Sequence, residues 1–233
     1  FSSIVAAIEE GRSIFENIRK YLVYLLSGNM GTVFGILFVF FLGYDSLPIN
    51  AVQILFINFI MDGLVAIALG VEPPEPGIMD RKPRNTKEGI LNRPSLITTG
   101  ILSLWISIIT TAAYVYSMEY GHIAGATPEA IEREASTVFF ITLLAARFFN
   151  GFNCRSLTRS VFGIPFFSNL TLIMSIIASL GIIAIIFAIE PLRVAFHLSP
   201  ITQGEIITAA ITSSSVLVFA ELLKIFRKGK MNS

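Results

Sequence analysis

Charge, cysteine and histidine are all scarce in this chain of 233 residues. Only 14% of residues are charged, where a soluble globular domain carries about 25%. One cysteine, Cys154, excludes an internal disulfide and any thiolate metal cluster. The two histidines, His122 and His197, lack metal-ligand spacing. No G-x-x-x-x-G-K-[ST] phosphate loop is present, no 20–50-residue repeat and no low-complexity tract. The first 20 residues are polar and helix-prone and begin with Phe1, which is unlike a signal peptide and reads as a piece of something longer.

Apolar residues are abundant, at 54%, and fall into runs of membrane-spanning length. The fold class expected is an all-α polytopic bundle with six spans, at about 21–42, 49–69, 95–116, 135–153, 169–189 and 202–226. Residues 1–20 read as an amphipathic stalk in water, continuous with the first span, and 21–233 as the membrane domain. Gly43-Tyr-Asp-Ser-Leu-Pro48 leaves room only for a tight turn, so spans one and two form a hairpin.

The basic residues are placed asymmetrically. Arg12, Arg19, Lys20, Arg81, Lys82, Arg84, Lys87, Arg93, Arg155, Arg159, Lys224, Arg227, Lys228 and Lys230 share one side, against Arg133 and Arg193 on the other. By the positive-inside rule both termini are cytoplasmic. The proline-rich loop Glu72–Arg84 is either a solvated connector or a docking surface for cytoplasmic domains. Glu119–Glu134 is expected to be a polar outside loop with a short helix after Thr127-Pro128.

Polar residues inside the spans carry the functional argument. An ionised side chain at mid-bilayer costs about 2.5–3.5 kcal/mol on insertion scales, so Asp62 is a functional candidate by default. Asn58 stands four residues before it, a spacing that points both side chains one way and begins a site for a hard cation. Gly63 is expected to loosen the helix and free carbonyls there. In span one, Asn29 and Thr32 share a face, and Gly28 and Gly31 allow close helix approach. They can serve as ligands or as interhelical glue. In span four, Arg147 precedes Asn150 on the same face; a guanidinium there occupies the space and charge of a second cation, or pairs with Asp62 to hold the bundle. Glu205 and Glu221 read as interfacial, and Trp105 as a packing residue.

Four stretches carry a resemblance: Ile4–Arg12, Tyr24–Asn29, Ile57–Gly63, and Leu69–Pro74 with Met79–Arg84. In order and at these spacings, the chain resembles the C-terminal membrane region of P-type Ca²⁺-transporting ATPases. The resemblance implies that the six spans are the fifth to tenth helices of a ten-helix pump. It implies that Asn58 and Asp62 ligate Ca²⁺ and that Asn29 is a fifth-helix asparagine serving an additional site. Two-site pumps have a glutamate where this chain has Thr32, a threonine at Met61, and a glutamate at Arg147, three residues before Asn150. These departures fall on one site, so the chain is most similar to single-site pumps of the secretory-pathway Ca²⁺/Mn²⁺ and bacterial kinds. The transported ion is then Ca²⁺, or Mn²⁺, moved singly across the cell membrane.

That family phosphorylates an aspartate in an Asp-Lys-Thr-Gly motif, which Asp45, Asp62 and Asp80 do not match. ATP and Mg²⁺ are therefore expected to act only through cytoplasmic domains outside this chain. The expected partners are the lipid bilayer, those domains and the preceding helices, and no nucleic acid. Rival expectations are a cation/proton secondary transporter, for which the two halves show no internal similarity, and a non-catalytic membrane interaction subunit.

Overall fold

Helix-starting residues punctuate the chain, and the helices of the computed structural model begin at them. The structure describes residues 2–81 and 89–231. Lys82, Arg84 and Lys87 of the basic loop, and the side chains of Arg227, Lys228 and Lys230, lie outside the described residues. Asn50 opens α2 (Ala51–Gly70) with a capping box completed by Gln53. Asn92 caps α3 (Arg93–Gly121), with Pro94 in its first turn. Thr127 caps α4 (Pro128–Asn153), with proline at the position where its missing N–H costs nothing. Asn169 caps α5 (Leu170–Ala188). The remaining long helices are α1 (Ser2–Phe41) and α6 (Gln203–Met231), and a short helix, Glu190–Ala195, precedes α6.

Among the described residues six long helices are apolar enough to cross a bilayer, so the chain is an integral, multi-pass, all-α membrane protein. Residues 4–20 and the first span form one continuous 40-residue helix. One boundary differs from the sequence reading. The expected short helix after Thr127-Pro128 is not separate, because Pro128 starts α4 and the helix runs unbroken to Asn153.

Small residues set the packing. A Cβ on Gly31 would come within 2.9 Å of Ile106 on α3, and one on Gly35 within 2.9 Å of Phe139 on α4. These glycines let α1 lie close against both helices, as small residues do in membrane bundles. α4 is the innermost helix: Ala135, Val138, Phe139, Leu143 and Ala146 are wholly buried. α6 packs beside α4 and α3, where Trp105 stacks on Phe219 at 4.3 Å and donates to Ser215 at 3.1 Å. α5 lies at the edge against α2.

The loop after α2 is not a solvated connector over its first part. Arg12 donates to the carbonyls of Ile78, Met79 and Arg81 at 2.8–3.2 Å, and Asn17 to those of Gly70 and Glu72 at 3.2 and 2.7 Å. Lys20 reaches Glu75 at 3.5 Å. Residues 70–81 are thus strapped along the N-terminal part of α1. Glu72 extends the strap to the connection after α4 and to the cap of α5. Its carboxylate accepts from Arg155 at 2.9 Å and from Asn169 at 2.5 Å. Arg155 and Glu72 are both buried, so their charges are held by mutual pairing and hydrogen bonds. Burial pushes the Glu75 carboxyl up, but the Lys20 charge and bonds from Arg81 and Ser156 outweigh it and hold it below its ordinary value of 4.5.

Candidate functional site between α1, α2 and α4

In mid-bundle α2 departs from regular winding. Ile57–Met61 form a π-turn between two α-helical halves. Such a turn inserts extra backbone and commonly occurs at functional sites. The loosening expected at Gly63 therefore lies one turn earlier; Gly63 itself is α-helical.

The π-turn also separates two side chains expected to point together. Asn58 is exposed from the bundle, whereas Asp62 is 1% exposed and faces inward. Regular i, i+4 alignment presumes 3.6 residues per turn, and the wider turn breaks it.

Asp62 is fully engaged. One carboxylate oxygen accepts from the Tyr24 hydroxyl at 3.0 Å, and the other forms an ion pair with Arg147. Arg147, 2% exposed, reaches this position because α1 carries glycine opposite it: a Cβ on Gly28 would lie 3.0 Å from the guanidinium carbon. Its second terminal nitrogen donates to Thr32 at 2.8 Å and Asn29 at 3.1 Å, while its Nε has no acceptor among the described residues. One guanidinium thus gathers Asp62, Asn29 and Thr32 from two helices. The pairing that the sequence offered as an alternative role for Asp62 is present.

Asn150 does not join this group. Its amide donates to Ser27 at 2.8 Å, one turn nearer the chain's N-terminal side of α1. Its place is an interhelical tie next to the site rather than within it.

Beside the ion pair is a cavity of about 240 Å³, lined by Asn29, Thr32, Ile54, Ile57, Asn58 and Arg147. Asp62 does not line it. The oxygen-bearing side chains of Asn29, Thr32 and Asn58 meet this space, and the guanidinium stands between it and the carboxylate. In this arrangement a cation entering the cavity meets neutral oxygens first and reaches the negative charge only by displacing Arg147.

Tyr24 is the participant that the sequence reading missed. Tyr24, Gly28 and Thr32 repeat every four residues along one face of α1, and that stripe was the available signal. Glu205 and Glu221, near the ends of α6, are buried against neighbouring segments. Glu221 accepts from Lys224 at 2.9 Å and from the Val161 N–H at 3.0 Å, which ties α6 to the 154–169 connection.

A six-span helical bundle with a paired intramembrane charge beside a cavity that Asn29, Thr32 and Asn58 share with aliphatic side chains defines a class of membrane domains that handle ions. Within it the chain belongs to the family described as "Cation transporting ATPase, C-terminus", whose model matches residues 46–226. It is 38% identical to the calcium-transporting ATPase of Bacillus subtilis (strain 168), over 88% of this chain and 22% of that protein. It is 33% identical to calcium-transporting ATPase 1 of Bacillus cereus, over 98% of this chain and 26% of that protein. With calcium-transporting ATPase type 2C member 2 of Rattus norvegicus it shares 34% identity, over 98% of this chain and 23% of that protein. The chain spans about a quarter of the length of these relatives.

Proposed function

We propose that this chain is the ion-handling membrane half of an ATP-driven P-type pump that exports Ca²⁺ from the cytoplasm, one ion per cycle. The observation that carries the reading is the position of Arg147, paired with Asp62 on one side and bordering on the other a cavity partly lined by Asn29, Thr32 and Asn58. The names of the relatives support Ca²⁺ as the cargo. Mn²⁺ shares the preference for hard oxygen donors and is a second cargo the same groups can take.

With Arg147 seated on Asp62, the guanidinium and a cation compete for one carboxylate. Asp62 cannot stay ionised and unpaired at this depth, so Arg147 supplies the positive charge. Ca²⁺ needs six to eight oxygens at about 2.3–2.6 Å. Asn29, Thr32 and Asn58 offer three beside the cavity, and Asp62 offers the charge once Arg147 swings away. The π-turn at Ile57–Met61 gives α2 the slack to bring Asn58 and Asp62 to one ion. The remaining ligands are assigned to the helices that precede this segment in the longer relatives. Arg147 also fills the room of a second cation, with Asn150 fixing α4 beside it.

The long helix α1 and the strap 70–81 link this site to the side on which both termini lie in the cytoplasm of a cell membrane. There, cytoplasmic domains bearing ATP and Mg²⁺ would move α1. Asp62→Asn in the intact pump tests the reading. Ca²⁺-dependent phosphoenzyme should be lost while expression is kept, and full phosphorylation in that variant would remove Asp62 from the site.

A further inference from the structure

At the end of the bundle opposite Arg155, two other carboxylates are buried side by side. Glu134, in the second turn of α4, is 1% exposed, and Glu205, in the first turn of α6, is 0% exposed. Glu205 accepts from the Ser117 hydroxyl with one oxygen. Its other oxygen accepts from the Thr202 N–H at 2.7 Å and the Thr202 hydroxyl at 3.0 Å. Glu134 accepts from the Ile123 N–H at 3.2 Å through Oε2. Its Oε1 is enclosed and finds no donor among the described residues, and the Glu205 carboxylate lies within hydrogen-bonding reach of this side chain.

An ionised carboxylate has lone pairs and no hydrogen, so two of them in contact can only repel. Among the described residues no lysine or arginine forms an ion pair with either glutamate. The charged groups acting on Glu134 are Glu205 and His122, and the His122 ring is turned to the Ser117 carbonyl at 3.2 Å. The enclosed oxygen therefore needs a hydrogen of its own to make its contact with Glu205 favourable.

We propose that Glu134 and Glu205 hold one proton between them, as a carboxyl–carboxylate pair that latches this end of the bundle. The latch joins four pieces: Ser117 in the π-turn that ends α3, the 121–123 connection, the start of α4 and the cap of α6. When the O–H bond breaks, the proton passes to water and no other bond changes. Two adjacent negative charges then remain with no lysine or arginine paired to either among the described residues, and the latch opens. This inference stands apart from the transport reading, because none of these groups borders the Asp62 cavity.

Infrared difference spectroscopy on the intact protein tests it. At about pH 6, wild type minus Glu134→Gln and wild type minus Glu205→Gln should each show loss of one protonated carboxyl C=O stretch, because an amide hydrogen replaces the shared proton. Hydrogen exchange on wild type alone supplies an independent arm: after correction for intrinsic chemistry, peptides covering 117–123 should open severalfold faster at high pH, and no others in α1 or α2. Spectra without a lost carboxyl band, or pH-independent exchange, would overturn the proposal. So would loss of the band in wild type on adding millimolar Mg²⁺ or Ca²⁺, which would give the gap to a metal.

Discussion

Replacing Arg147 with methionine removes the guanidinium while keeping an unbranched chain of similar length. Asp62, 1% exposed, would then retain only the Tyr24 hydroxyl, 3.0 Å away. Breaking a buried pair by deleting one partner costs about 3–5 kcal/mol, because the other charge is left uncompensated. Replacing both partners with apolar groups is commonly neutral or stabilising by about 1–4 kcal/mol. Arg147→Met should therefore destabilise the ion-free protein strongly, and Asp62→Leu with Arg147→Met should restore most of the loss. Calcium adds a second axis. In wild type the ion must displace the guanidinium, whereas in Arg147→Met the carboxylate stands unpaired, so Ca²⁺ should bind more tightly. Each 1.4 kcal/mol of removed competition is about tenfold, so even half of the pair's lower bound predicts a gain of about tenfold in apparent affinity. Thermal unfolding across a calcium titration, on wild type and both variants, measures both effects. A Ca²⁺-induced shift no larger in Arg147→Met than in wild type would refute the idea that guanidinium and cation compete for Asp62.

Two further outcomes are expected at the strap. Glu72→Gln leaves Arg155, 1% exposed, without its charge partner and should cost about 3–5 kcal/mol, read as lowered thermal stability and faster exchange in residues 70–81. The Glu75 carboxyl is held below its ordinary value of 4.5, so its contribution is present above that value and is lost as pH falls through the lower folded one. Proteolysis within 70–81 should accordingly accelerate only at pH below 4.5, and Glu75→Gln should remove that acid dependence.

The spans were legible because hydrocarbon imposes a length and a polarity that few sequences imitate. Asp62 and Arg147 were legible for the same reason, since a charge at that depth needs a purpose. What could not be read was how α2 winds. The π-turn depends on how Ile57 and Met61 pack against neighbouring helices, and it turned Asn58 away from Asp62. Glu134 and Glu205 were hidden by sitting near helix ends, where sequence alone suggests water. The strap stayed hidden too, because Arg12 and Asn17 bind backbone carbonyls, which carry no sequence signal.

The stoichiometry of transport tests the central claim most directly. In sealed vesicles containing the intact protein, labelled Ca²⁺ uptake per ATP hydrolysed should approach one in wild type, because Arg147 fills the room of another ion. Arg147→Glu should raise that ratio. A ratio near two in wild type would contradict the account.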